Sequence, residues 1–93
     1  MNTAAATLTA TLDRNIARFT SAERITAPKV QTGYRNVAKV LPEGTRRADI
    51  TALFTAYLMT QDRKPGAEAE YVALVNRTLG TELVAEDFDS LTV

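Results

Sequence analysis

The chain contains no cysteine, no histidine and no tryptophan among its 93 residues. Without cysteine it cannot form a disulfide scaffold, bind zinc through thiolates or use a thiol nucleophile. Without histidine it also lacks the commonest metal ligand and the commonest general base of enzymes. The sequence therefore predicts neither a metal centre nor a cofactor, and the lack of cysteine fits a reducing compartment.

Glycine is scarce as well, and the four glycines match neither of the common phosphate-binding loops. Acid–base catalysis would then have to use carboxylates, lysine or tyrosine. Glu68 and Glu70 would point about 200° apart on a helix, so they cannot share a site. Glu86, Asp87 and Asp89 instead form a solvated acidic end. We therefore expect a protein that is not an enzyme and has no small-molecule substrate.

Long hydrophobic runs are also missing. No segment approaches the roughly 18 apolar residues of a membrane helix, and the first residues lack the basic start and leucine-rich centre of a secretory signal. We expect a protein that is neither membrane-spanning nor secreted, located in the cytoplasm or within a virion. Hydrophobic residues make up 45% of the chain and charged residues 24%, which is typical of a globular domain.

Apolar residues recur with the period of an α-helix in four segments, at about residues 3–19, 28–41, 46–60 and 67–79. The pattern predicts an all-α fold, a small orthogonal or up-down bundle of four main helices in a single domain, residues 1–93. The acidic tail, residues 81–93, is predicted to be either a short fifth helix or an extended arm.

The third segment has no charged residue between Ile50 and Gln61. A helix without charge around its circumference is usually buried on more than one side. We therefore expect this helix at the centre of the bundle, in contact with the most neighbours. The predicted core comprises Leu12, Ile16, Val37, Leu41, Leu53, Phe54, Tyr57, Tyr71, Leu74 and Val75. The apolar stripes of the predicted helices extend it, with Ala5, Leu8 and Phe19 on the first helix and Ile50 and Leu58 on the third.

Two segments carry more uncharged surface than one core requires. Residues 3–12 read "TAAATLTATL", with four threonines, four alanines and two leucines. Such small side chains give a weakly hydrated surface that a partner backbone or helix can approach closely. We predict that residues 1–12 are a docking segment and that the outer side of the third helix also binds a partner. The candidate residues are Thr3, Thr7, Thr11, Ala52, Thr55 and Met59.

These surfaces favour a non-enzymatic structural or adaptor subunit that docks onto larger proteins in an assembly, through protein partners or self-association. A phage or viral accessory structural protein is the most concrete version of this hypothesis. Full burial of a central helix would also explain the uncharged third segment, because one helix of a small bundle is often enclosed by the others.

The net charge is zero, but the two halves of the chain have opposite signs. Residues 1–47 hold eight basic and three acidic residues, a balance of +5. Residues 48–93 hold three basic and eight acidic residues, a balance of −5. Such a charge dipole favours head-to-tail contacts, either within the fold or between copies.

Nucleic-acid binding is the alternative function. The second helix, a short glycine-containing turn and the third helix have the outline of a helix-turn-helix. Arg35, Lys39, Arg46 and Arg47 would form its basic patch, close to phosphates. The body of the third helix lacks the arginine, lysine and asparagine that read base edges, and offers no glutamine before Gln61. A small nucleic-acid-binding or regulatory protein therefore remains the second hypothesis.

Overall fold

The computed structural model describes residues 3–21 and 27–92, with the side chains of residues 3–17, 28 and 30–92. Residues 1–2 of the predicted docking segment and the side chain of Phe19 lie outside this part. Within it the fold is all-α, as predicted, and no strand occurs. The elements are α1 (Thr3–Ser21), α2 (Ala27–Ala38), α3 (Arg47–Gln61), α4 (Ala67–Leu79), a 3-10 helix (Ala85–Asp87) and α5 (Phe88–Leu91).

The helix ends follow local chemistry. α4 stops at Gly80, whose φ of 71° is favourable for glycine and whose N–H donates to the Asn76 carbonyl at 2.8 Å. α2 ends at Ala38. The predicted turn at residues 41–44 follows, where Pro42 disfavours helical geometry at Leu41. Leu41 nevertheless belongs to the core, with 9% of its surface exposed.

The helices pack as two pairs, α1 with α2 and α3 with α4. α1 also contacts α3, α4 and α5, whereas α3 packs mainly on α4 and also touches α1 and α2. In the described part of the chain α1 contacts at least as many elements as α3, so α3 does not hold the expected central position alone. No helix of this part is both long and apolar enough to cross a membrane.

The predicted core is largely confirmed. Its members are buried except Leu74, which is half-buried and packs against the others. Leu58, predicted on the apolar stripe of the third helix, is instead 43% exposed, because it lies at the edge of that stripe. The tail adds Phe88 and Leu91, which are 6% and 4% exposed. The Phe88 ring meets the Tyr71 ring edge-on, with 5.7 Å between centroids. The acidic tail is thus partly extended, partly helical, and anchored by aromatic packing.

α1 is buried over a wider arc than its apolar residues cover. At 100° per residue its predicted stripe spans about 80°, whereas the buried positions from Thr11 to Thr9 span about 160°. Thr9, Thr11 and Asn15 are 1%, 3% and 4% exposed. Burial of these polar side chains is tolerated because each one is hydrogen-bonded.

The hydrogen bonds of these residues connect α1 to its neighbours. The Thr9 hydroxyl donates to the Ala5 carbonyl at 2.9 Å, so it accepts the 2.8 Å bond from the Tyr71 hydroxyl. Asn15 donates to the Thr11 carbonyl at 2.8 Å and accepts from Asn36 of α2 at 3.1 Å. The threonines of "TAAATLTATL" thus serve in part to join α1 to the rest of the bundle.

Candidate functional site

The outer side of α3 is an uncharged surface open to solvent. Two of its residues, Leu58 and Met59, are 43% and 41% exposed. Among the described residues, Val84 is the only other large hydrophobic side chain that is exposed. We call this surface the neutral α3 face, and it comprises Ala48, Thr51, Ala52, Thr55, Leu58 and Met59.

The sequence places these residues on one side because of the helical period. At 100° per residue they occupy an arc of about 120°. The opposite side of α3 carries Ile50, Leu53 and Tyr57, which are 5%, 0% and 3% exposed. α3 therefore buries one apolar side and leaves a second neutral side available. The outer side of α3 is uncharged, as predicted. It is exposed to solvent, so full burial of a central helix does not explain the lack of charge.

The predicted threonine surface of α1 is only partly present. Thr3 and Thr7 are exposed, together with Ala4 and Ala10. Thr11 is 3% exposed and donates its hydroxyl to the Thr7 carbonyl at 2.8 Å. The expectation that Thr11 lies on an outward-facing surface is therefore wrong, because α1 is covered by α2 on that side.

The outward threonines of α1 and the neutral α3 face do not form one groove. The depression next to both helices is lined by Ala10, Asp13, Tyr57 and Gln61, among others. The Tyr57 hydroxyl donates to the Asp13 carboxylate at 2.9 Å. Burial, together with this hydrogen bond, raises the pKa of Tyr57 well above its usual range. Tyr57 is therefore a neutral donor at physiological pH and holds α1 against α3.

Arg35 and Arg47 come together in the structure. They line an open groove between α2 and the start of α3, with a volume of about 370 Å³. We call it the arginine groove, and define it by Gln31, Tyr34, Arg35, Thr45 and Arg47. Its volume is at the low end for small-molecule sites. An open groove of this size suits side chains of a partner.

Tyr34 fixes the geometry of the arginine groove. The guanidinium carbon of Arg47 lies 4.3 Å from the centroid of the Tyr34 ring, a cation–π contact. The same ring packs against Phe54 with 5.3 Å between centroids. The Thr51 hydroxyl donates to the Arg47 carbonyl at 3.1 Å, so the Tyr34 hydroxyl donates to Thr51 at 2.7 Å. Arg47 is thus held by an ordered support.

The other two predicted basic residues lie elsewhere. Lys39 lines a separate depression between α1 and α2, together with Arg14 and Asn15. Arg46 forms an ion pair with Asp49, with 3.8 Å between Nε and the carboxylate oxygen. The structure therefore unites Arg35 with Arg47 and separates Lys39 and Arg46 from them.

Sequence reasoning missed Asn76 of α4. Its amide nitrogen donates to the Leu83 carbonyl at 2.8 Å, and its amide oxygen accepts from the Leu83 N–H at 2.9 Å. The Thr81 hydroxyl donates to the same oxygen at 2.7 Å. These bonds fix the start of the acidic tail on α4. The available signal was an asparagine four residues before Gly80, at a helix end where local side-chain to backbone bonds are common.

The described residues contain no group of three acidic, histidine or cysteine side chains arranged to hold a metal ion. The described surface instead offers two features for recognition, the neutral α3 face and the arginine groove. The chain matches no protein-family model, no curated protein and no solved structure.

Proposed function

We propose that the protein is a non-enzymatic structural or adaptor subunit that docks onto a larger protein through the neutral α3 face. One observation carries the proposal: Leu58 and Met59 are both exposed on a side of α3 without charge, about 100° apart around the helix. Exposed apolar residues that cluster on one face are typical of protein-binding surfaces. The subunit would act inside a cell or in a virion, with a phage or viral accessory protein as the most concrete case.

The chemistry of the face favours an apolar helix as its occupant. Thr51, Ala52 and Thr55 are small, so a partner backbone can approach closely, and Leu58 and Met59 provide two larger anchors. Methionine adapts its shape to irregular partners. A charged partner surface would lose its hydration here without finding a counter-ion. We therefore propose the apolar side of an amphipathic helix of another protein, bound in the helix-in-groove manner.

Site-specific photo-crosslinking tests this proposal in the cells that make the protein. A benzophenone amino acid replaces Met59 in one variant and Ala73, an exposed residue of α4, in the matched control. We expect a defined protein adduct from position 59 and none from position 73. The crosslinked protein is identified by mass spectrometry and purified for titration.

The titration compares two lysine substitutions on the purified pair. Met59→Lys should weaken the affinity about tenfold or more, because a charge would be buried at the interface. Ala73→Lys should leave the affinity unchanged. Equal adducts from both positions, or an affinity that Met59→Lys does not change, would contradict docking through this face.

A further inference from the structure

The charge dipole of the sequence becomes a separation in space. Residues 27–47 carry five basic residues and one acidic residue, a balance of +4. Residues 80–92 carry four acidic residues and no basic one, a balance of −4. α2 packs on α1 and α3, whereas the 3-10 helix packs on α4 and α5 packs on α1. The positive and negative segments therefore belong to different sides of the bundle.

In the described part of the chain, no ion pair joins these two segments within one copy. Among the residues that the structure describes, Arg46 and Asp49 form the only ion pair, and they are three residues apart. Arg46 has 83% of its side chain exposed, and such exposed local pairs contribute little. Both Arg35 and Arg47 are exposed and find no carboxylate in this part of the fold. Of the two contacts predicted by the dipole, the one between copies is therefore favoured.

The acidic segment has an anchored backbone and exposed carboxylates. Asn76 fixes its start through both backbone groups of Leu83, and Phe88 anchors its end in the core. Asp87 accepts the Val84 N–H at 2.9 Å and so stabilises the turn itself. Glu82, Glu86 and Asp89 are exposed and remain available to a partner.

We infer that the arginine groove of one copy binds the acidic segment, residues 82–89, of a second copy. Guanidinium groups bind carboxylates through paired hydrogen bonds, and Tyr34 holds Arg47 in place for such a contact. The groove adjoins the neutral α3 face at Thr51, which Tyr34 contacts, but shares no defining residue with it. A net charge of zero permits close approach of identical chains. The contact joins different surfaces of the two copies, so it produces a ring or a chain of subunits.

A charge-swap experiment tests this contact with the full chain. One variant carries Arg35→Glu and Arg47→Glu, and the other carries Glu86→Lys and Asp89→Lys. Each variant alone has two like-charged surfaces and should not self-associate. A mixture of the two should associate, because each groove then meets a segment of opposite charge. Sedimentation velocity measures the mass of each variant, of the mixture and of the unaltered protein.

Salt dependence and a matched control distinguish pairing at this groove from the effect of net charge alone. Association of the unaltered protein should weaken about tenfold or more between about 0.01 M and 0.15 M salt, as the Debye length falls from about 30 to about 8 Å. Lys64→Glu with Arg77→Glu makes the same change in net charge on exposed residues of the acidic half, and should keep self-association. Circular dichroism verifies that every variant is folded.

Three results would overturn the inference. The first is an unaltered protein that stays monomeric at low salt and high concentration, and the second is a mixture that fails to associate. The third is association that resists both charge swaps but is lost in Leu58→Lys with Met59→Lys, which would assign the contact to the neutral α3 face. A labelled DNA duplex serves as a parallel probe. Binding of DNA that Arg35→Glu with Arg47→Glu abolishes, without any self-association, would assign the groove to nucleic acid.

Discussion

α1 and α3 are both poor in charge, yet they expose different kinds of side chain. α1 carries threonine at four positions between residues 3 and 12 and is buried over an arc of about 160°. α3 has no charge from Ile50 to Gln61 and still leaves Leu58 and Met59 exposed. By the same measure the buried residues of α3, from Ala56 to Phe54, also span an arc of about 160°. The two helices are therefore buried to a similar extent and differ in their exposed sides: that of α1 carries threonine, alanine, Asp13 and Arg14, whereas that of α3 carries Leu58 and Met59.

The difference also shows what each helix contributes. α1 is held by contacts with α2, α3, α4 and α5, and its polar side chains supply hydrogen bonds that fix their positions. Buried polar groups that are fully bonded can specify one arrangement of helices. α3 is buried over a similar arc, and its exposed side carries the neutral α3 face. Four changes test this comparison, beginning with the largest expected effect.

Leu53 and Leu58 give the sharpest contrast within α3. Leu53 is 0% exposed and Leu58 is 43% exposed. Leu53→Ala should lower the free energy of unfolding by about 2–5 kcal/mol, because it leaves a cavity in the core. Leu58→Ala should change it by less than about 0.5 kcal/mol. Urea denaturation measures both, and equal losses would show that the two sides of α3 do not differ as described.

The helices and most of the core could be predicted from sequence because they depend on local pattern. The 3.6-residue period locates Leu53, Phe54 and Tyr57 on one side of α3 whatever the tertiary arrangement. Pro42 and Gly44 likewise predict the turn between α2 and α3. Local pattern of this kind is the part of folding that a single sequence reveals most directly.

The enclosure of α1 could not be predicted, because it depends on which helices meet. The sequence gives no indication that Thr9 faces Tyr71, which is 62 residues away in the chain. The predicted surface position of Thr11 is wrong because α2 covers that side of α1, a contact that the sequence does not indicate. Of the four predicted basic residues, Arg35 and Arg47 come together only because α2 and the start of α3 border one groove. Long-range pairings of this kind require the tertiary structure.

Alkaline pH should weaken the contact between α4 and α1 that Tyr71 makes with Thr9. Burial raises the pKa of Tyr71 to about 12, from an ordinary value of 10.0. The unfolded chain loses this proton first, so the stabilisation is complete below pH 10 and decreases as pH rises towards 12. The loss is about 1.4 kcal/mol per pH unit in that window for this tyrosine. Urea denaturation at several pH values measures the free energy of unfolding. In Tyr71→Phe the decrease between pH 10 and pH 12 that this tyrosine causes should be absent.

Thr9→Val tests whether the polar side chains of α1 stabilise the fold. Valine keeps the shape of threonine but leaves the buried Tyr71 hydroxyl without its acceptor, so we expect a loss of about 1–2 kcal/mol. Adding Tyr71→Phe should recover most of it, since both partners are then apolar. Thr7→Val, at an exposed position of the same helix, is the matched control and should be nearly neutral. A Thr9→Val variant as stable as the unaltered protein would show that the hydrogen bond between Thr9 and Tyr71 does not stabilise the fold.

Met59→Lys should have the smallest effect on folding, although it places a charge on the least charged helix. Met59 is 41% exposed, so the ammonium group can remain hydrated while its alkyl part covers the helix surface. We expect a change within about 0.5 kcal/mol, measured by urea denaturation, and an unaltered circular dichroism spectrum. Ala56→Lys is the matched comparison on the same helix, because Ala56 is 5% exposed and a lysine there would have no counter-ion. Unfolding of Met59→Lys to the same extent as Ala56→Lys would mean that α3 is enclosed on every side, and the neutral α3 face would then not exist.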